Sequence, residues 1–389
     1  MTNPLPIIIV GTGLAGVSVA KEFRKCDTIT PLILITQDDG HFYSKPLLST
    51  AFHQGKSHTD LIITDVAVLQ NQLNATIMTF STVLALDTKT QTITVQTPQD
   101  VTTIAYQKCV FANGATPRPL PIIEALPSHY RINSLMDYAR FKNKHATWKQ
   151  LTIIGSGLVG SEFAHDFTKS HLNIDVITPD PYPLFGLVPE PIGQALRAAL
   201  TDKGVTFHTQ TQVTTASQLE NTCHLTLSNQ STLQSDAVLI AIGLTPNSVL
   251  AQSAGLTVNQ GIVVNDNLEC NVANHYALGD CAEIAGSCRQ YVAPILSCAR
   301  ALAQTLSGKP TKAILPHLPI SLKVDCYPII VSPPKPGCEG TWHFENTQNH
   351  YQGLFYDKQG VLQGFALSGS YLAKRQEHQA KLMANVPHN

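Results

Sequence analysis

Three glycines recur at one spacing twice in this chain, in Gly11-Thr12-Gly13-Leu14-Ala15-Gly16 and in Gly155-Ser156-Gly157-Leu158-Val159-Gly160. Each set follows an apolar run, Pro6-Ile-Ile-Ile-Val10 or Leu151-Thr-Ile-Ile154, and precedes a helical pattern. In such a strand-turn-helix unit the first glycine makes the tight turn, the second lets backbone approach a pyrophosphate, and the third lets helix pack on strand. The helix N-terminus then turns unpaired N–H groups and a positive dipole end toward the phosphates. One such motif can be a plain turn; two in matching context point to two nucleotide sites and to electron transfer between two cofactors.

A carboxylate that grips a ribose is expected about 20 residues after the glycines. Asp38 or Asp39 fills that place in the first unit, just past Thr36, and Asp180 in the second, with Asp175 too early and inside the strand Asn173–Thr178. A loop aspartate that caps a turn is the alternative at each position. The second loop, Thr178-Pro-Asp-Pro-Tyr-Pro-Leu-Phe-Gly186, holds no arginine or lysine. A 2′-phosphate calls for one, so the reading is NADH rather than NADPH.

Composition sets bounds on what surrounds these sites. A chain of 389 residues exceeds one hydrophobic core, so two or three domains are expected. With 26 basic against 27 acidic residues there is no electrostatic call for nucleic acid or an anionic membrane surface. No apolar run of transmembrane length appears, and the start lacks a basic secretory segment, so a soluble cytoplasmic protein is expected. Nine cysteines occur without a C-x-x-C pair or zinc spacing. They read as buried thiols in a reducing compartment, with no metal.

The layout is α/β. Lys108-Cys-Val-Phe-Ala-Asn-Gly114 and Asp236-Ala-Val-Leu-Ile-Ala-Ile-Gly243 read as buried strands, each ending in glycine and followed by a proline segment. That symmetry predicts one nucleotide domain, 116–246, inserted between the halves 1–115 and 247–316 of another. The proline-rich, strand-like texture of 317–389 predicts a third, small α+β domain. Ala282 and Glu283, just past Gly279-Asp280, are expected to open a helix.

Taken together, Gly11 to Gly16, Gly114-Ala-Thr-Pro117, Gly155 to Gly160, Gly243-Leu-Thr-Pro246 and Tyr276-Ala-Leu-Gly-Asp280 resemble the flavoprotein family of pyridine-nucleotide disulfide and ferredoxin-type reductases over about 320 residues. The resemblance implies two Rossmann-like domains of the three-layer FAD/NAD(P)-binding type, FAD on the first glycine set, NADH on the second, and Asp280 on the flavin's ribityl chain. Disulfide reductases carry a C-x4-C pair after the first unit, whereas Gly40-His-Phe-Tyr-Ser-Lys45-Pro46-Leu-Leu-Ser49 has no cysteine, so electrons must leave the flavin for an external acceptor. Lys45-Pro46 matches the basic-residue-proline step of the ferredoxin-reductase branch, whose glutamate partner corresponds to Glu162.

A narrower resemblance, to bacterial rubredoxin-NAD(+) reductases, rests on Tyr43-Ser-Lys-Pro-Leu-Leu-Ser-Thr50, Cys298-Ala-Arg-Ala-Leu-Ala-Gln-Thr305 and Ile330-Val-Ser-Pro-Pro334. It implies hydride transfer from NADH to FAD and single electrons to rubredoxin, an acidic one-iron carrier, in service of an alkane hydroxylase. It assigns Gly11, Thr12, Gly13, Leu14, Ala15, Gly16, Thr36, Asp38, Lys45, Pro46, Val83, Gly114, Glu162, Asp280, Val292 and Lys323 to FAD. Gly155, Gly157, Leu158, Val159, Gly160, Asp180 and Gly243 go to NADH, and Lys45 with Glu162 forms the catalytic pair. A basic rim of Lys323, Arg118, Lys374, Arg375 and Lys381 is expected to meet rubredoxin. The short segment after His317 points to a monomer. A ferredoxin reductase of an oxygenase and a non-enzymatic NADH/FAD redox-sensing module are the alternatives; an NADH oxidase would need a reactive cysteine near Lys45.

Overall fold

Runs of four or five consecutive apolar residues cannot leave a face to water, so they form the centre of parallel sheets covered on both sides. Ile7–Val10, Leu32–Ile35 and Ala237–Ile240 are such runs, while Lys108–Phe111, Gln150–Ile154 and Asn173–Ile177 each start on a polar residue and are otherwise buried. The computed structural model describes residues 4–288, 292–315, 318–335 and 337–384. It divides into two units: Met1–Lys45 with His58–Thr116 and Leu244–Pro316, and Pro46–Ser57 with Pro117–Gly243 and His317–Asn389.

In the first unit five parallel strands run in the order His275–Ala277, Lys108–Phe111, Ile7–Val10, Leu32–Ile35, Thr76–Met78. A three-stranded antiparallel meander, Thr82–Asp87, Thr92–Gln96 and Val101–Ala105, accompanies them. The helix α1, Leu14–Cys26, packs on the later helix Val292–Leu306. Fully buried Ile8, Ile9, Val17, Val19, Leu34 and Phe111 form the heart of this core.

The second unit repeats the plan. Its parallel order is His129–Tyr130, Ala237–Ile240, Gln150–Ile154, Asn173–Ile177, Val205–His208, again with a three-stranded meander, Val213–Leu219, Thr222–Leu227 and Thr232–Ser235. The helix α2, Leu158–Phe167, occupies the place that α1 has in the first unit. The C-terminal residues add a five-stranded antiparallel sheet in the order Ile320–Leu322, Ile329–Ser332, Leu362–Ser368, His350–Asp357, Gly340–Thr347, and a final helix Arg375–Ala384.

Two expectations are corrected. No helix opens at Ala282: Gly279–Cys281 is a single 3-10 turn, and Ala282–Ile284 is a strand paired in parallel with Ile262–Val264. Buried Glu283 explains it, because its carboxylate accepts from the Gln260 N–H at 2.7 Å, the Gly261 N–H at 3.2 Å and Asn259 Nδ2 at 3.1 Å, which ties the segment to a neighbouring strand. Nor are all the cysteines buried. Cys26 is exposed at the end of α1, and Cys288, Cys326 and Cys338 are half-buried.

Candidate functional site

The two glycine turns have nearly superimposable backbone clearances. Gly11 and Gly155 adopt φ of +113° and +105°, and a Cβ there would lie 2.3 Å from the Ala112 carbonyl oxygen or 2.5 Å from that of Ala241. A Cβ on Gly16 or Gly160 would lie 2.0 Å from the carbonyl oxygen of Gly11 or Gly155. These four positions exclude any side chain by backbone contact alone. Gly13 and Gly157, by contrast, would meet nothing within 4 Å, so the second glycine of each set faces open space. Gly13 and Gly157 are also the N-caps of α1 and α2, and neither helix has a side-chain cap. Each turn therefore offers free helix N–H groups beside room for a pyrophosphate. Thr12, Leu14 and Ala15 line the first turn; Leu158 and Val159 begin α2 in the second.

The acidic residues past each second strand also repeat. Thr36 Oγ1 donates to Asp38 Oδ1 at 2.6 Å, and Thr178 Oγ1 to Asp180 Oδ2 at 3.4 Å. Asp38 Oδ1 further accepts the Gly40 N–H at 3.1 Å, while Asp39 accepts the His41 N–H at 3.1 Å, so each keeps an oxygen for a ligand. Asp175 lies within its strand and pairs with His208 Nε2 at 2.7 Å.

Elsewhere in the first unit, Gly114 and Gly279 take φ of +67° and +78°. Asp280 follows in the 3-10 turn, half-buried; desolvation pushes its carboxyl above the ordinary range, and the cation of Lys45 opposes the shift. Val83 sits in the meander opposite Val95, partly packed on the core, and Val292 is the exposed first residue of its helix. Burial pushes the Cys270 and Cys281 thiols up to about 12, which leaves them un-ionised and inert. Among the described residues no group of three or more His, Cys, Asp or Glu is placed to hold a metal ion.

The second unit builds a charged cluster on α2. Glu162, 5% exposed, receives Ser49 Oγ at 2.5 Å and Lys323 Nζ at 2.8 Å on Oε2, and the Lys323 backbone N–H at 3.1 Å on Oε1. Lys323 Nζ also donates to the Pro46 carbonyl and to Ser49 Oγ. One turn further along the same face, Asp166 accepts the Phe52 N–H at 2.9 Å and the His53 N–H at 3.3 Å, and pairs with the His53 imidazole. Burial pushes the Asp166 carboxyl up despite these bonds. Gly243 closes its strand at φ +97°, where its carbonyl accepts the Arg118 N–H at 3.0 Å.

Two uncapped glycine turns of one geometry, each on its own parallel sheet, agree with what the chain resembles among known proteins. Residues 5–304 match the pyridine nucleotide-disulphide oxidoreductase family. The chain belongs to that family. Residues 312–382 match the rubredoxin binding C-terminal domain. The rubredoxin-NAD(+) reductase of Alcanivorax borkumensis is 38% identical over 384 residues, which cover 98% of this chain and 100% of that one. The enzyme of the same name from Acinetobacter baylyi is 35% identical over 98% of both chains. A covalent putidaredoxin reductase-putidaredoxin complex supplies a fold match with a TM-score of 0.87 at 21% identity, covering 97% of this chain and 93% of that one.

Within this pyridine nucleotide-disulphide oxidoreductase, sequence reasoning joined Glu162 to Lys45. The structure adds Lys323 as a cation on Glu162, and it sets Lys45 near enough to Asp280 to oppose the rise of that carboxyl. Ser49, Asp166 and His53 were not foreseen. A signal was present, since Glu162 and Asp166 stand four apart on one face of a largely apolar helix. The basic rim is also less free than expected: Lys374 pairs with Glu345 at 3.5 Å and Lys381 with Glu377 at 2.7 Å, besides Lys323 with Glu162.

Proposed function

We propose that the chain is an FAD-dependent reductase that oxidises NADH and passes electrons to rubredoxin. The observation that carries this is the pairing of two side-chain-free, uncapped glycine turns with a C-terminal segment matched to rubredoxin binding. FAD, when bound, supplies the conversion from a two-electron hydride to single electrons. The first turn would hold its pyrophosphate, with Asp38 toward a ribose and Asp280 toward the ribityl hydroxyls; raised by burial, the Asp280 carboxyl suits hydrogen bonding to them. The second turn would hold NADH, with Asp180 at the ribose, and the absence of Arg and Lys from Thr178–Gly186 favours NADH over NADPH.

Glu162 and Lys323 would supply a fixed charge pair, its carboxylate buried, to the reacting ring system. No cysteine lies between Cys26 and Cys109, which leaves no dithiol beside Lys45 and supports an external acceptor. No helix among the described residues is long and apolar enough to cross a membrane, and with nine cysteines in no disulfide this supports a cytoplasmic setting. Service to an alkane hydroxylase is part of the same reading.

A stopped-flow experiment tests it. NADH is mixed with the flavin-loaded protein, and bleaching of the flavin absorbance is followed. Rubredoxin, a [2Fe-2S] ferredoxin or oxygen is then added. Rubredoxin should restore the oxidised spectrum fastest. Faster recovery with the ferredoxin would replace the acceptor assigned here, and a long-lived bleached state with every carrier would point to a sensor.

A further inference from the structure

Ser49 is 5% exposed in the 3-10 turn Lys45–Thr50, and it is the uncharged member of a cluster of opposite charges. Its hydroxyl lies 2.5 Å from Glu162 Oε2 and 3.0 Å from Lys323 Nζ, and those two charged atoms are 2.8 Å apart. An ammonium can only donate and an ionised carboxylate can only accept, so the charges dictate the direction of the hydroxyl between them. It donates to Glu162 and accepts from Lys323. The alternative acceptor, the Pro46 carbonyl, is farther at 3.3 Å, whereas the Glu162 contact is at the short end for a hydroxyl on a carboxylate.

The consequence for Lys323 is that its three ammonium protons find three acceptors: the Pro46 carbonyl, the Ser49 hydroxyl and the Glu162 carboxylate. A lysine held at one point swings on a flexible stem; one held at three does not. We infer that Ser49 is a positioning residue for the reaction with NADH, its hydroxyl fixing Glu162 and Lys323 in a single arrangement. This rests on the reading that the chain is an NADH-oxidising flavoprotein with that pair in its site. The segment Pro46–Ser57 has a second tie to α2, since Asp166 accepts from Phe52 and His53 without any help from Ser49. Loss of the Ser49 hydroxyl therefore loosens the charge pair and leaves the segment attached.

The test follows flavin bleaching against NADH concentration in the flavin-loaded full chain. Ser49→Ala is expected to lower the limiting bleaching rate about tenfold or more, the scale of a lost charge-assisted hydrogen bond. The half-saturating NADH concentration should change by less than about threefold, a split that a general structural defect would not produce. Ser49→Thr returns a hydroxyl and should recover most of the loss. Ser49→Cys keeps the size with a poor donor and should not. In a Lys323→Met background, Ser49→Ala should add little, because the hydroxyl acts through that pair. A wild-type bleaching rate in both Ser49→Ala and Ser49→Cys would overturn the inference, as would effects of Ser49→Ala and Lys323→Met that simply multiply. A wild-type protein that NADH never bleaches would instead remove the functional reading, and this inference with it.

Discussion

The helix α1 buries Ala15, Val17, Val19, Ala20 and Phe23 with Ser18, whereas α2 buries Glu162, His165 and Asp166 among Phe163, Ala164 and Phe167. Both start from glycine turns whose clearances agree within about 0.2 Å, at 2.3 and 2.5 Å for the first glycine and 2.0 Å for the third in each. The turn, then, holds no information about the chemistry that follows it. What separates the helices is the residue two places past the last glycine, Ser18 in one and Glu162 in the other. A small side chain there lets α1 pack against Val292–Leu306, while a carboxylate obliges α2 to recruit donors from elsewhere in its unit.

The largest effects should come from breaking the turns themselves. Gly16→Ala and Gly160→Ala both force a Cβ against a backbone carbonyl, at a cost of about 3 kcal/mol or more if the helix cannot shift. The comparison predicts different losses. Gly16→Ala should be purified with little flavin, and Gly160→Ala should stay yellow yet resist bleaching by NADH; equal flavin loss in both would mean the two turns do not divide the cofactors.

Next in size is Glu162→Gln, which leaves the Lys323 ammonium beside a neutral amide. Breaking a buried pair costs about 3–5 kcal/mol, but the Lys323 side chain is 36% exposed, so about 1–3 kcal/mol is expected in chemical denaturation. Adding Lys323→Met should return part of that stability, and no recovery would argue that the pair is not coupled. Ser18→Ala in α1 should change stability by less than about 1 kcal/mol.

Asp166→Asn sharpens the contrast within α2. It keeps the backbone contacts to Phe52 and His53 partly satisfied, and about 1–2 kcal/mol of stability should be lost. Flavin bleaching at saturating NADH should stay within about twofold of wild type, separating a structural carboxylate from Glu162.

The smallest effect concerns pH. Burial holds the His165 imidazole below the usual histidine range, so the folded chain binds fewer protons there than the unfolded one. Stability therefore falls as pH drops below about 6.5, until the folded group also protonates, with a slope of at most about 1.4 kcal/mol per pH unit. His165→Leu should flatten the slope of denaturation free energy in that window, and an unchanged slope would assign it to other buried histidines such as His275.

Much of this was legible in the linear chain because it depends on local rules. A glycine triplet after an apolar strand forces the same turn wherever it occurs, and an all-apolar run of four or five residues can only be an interior parallel strand. The acids three places past each strand end, Asp38 and Asp180, stand at matching positions in the two units and each bonds the threonine two residues before it. The strand at Ala282–Ile284 was not legible, since the partners that tie Glu283 into it, Asn259, Gln260 and Gly261, lie more than twenty residues earlier.

The sequence alone thus determined the doubled nucleotide architecture, the lack of a dithiol and the family, all of which rest on short motifs whose geometry is set by neighbouring residues. Only the tertiary structure showed that Lys323 and Ser49 meet Glu162. Lys323 stands 161 positions away and Ser49 113, and no spacing rule reaches that far. The choice is made by desolvation. A carboxylate buried on α2 must take whatever donors the folded unit brings to it, and the packing of the C-terminal sheet and the turn Lys45–Thr50 brings Lys323 and Ser49.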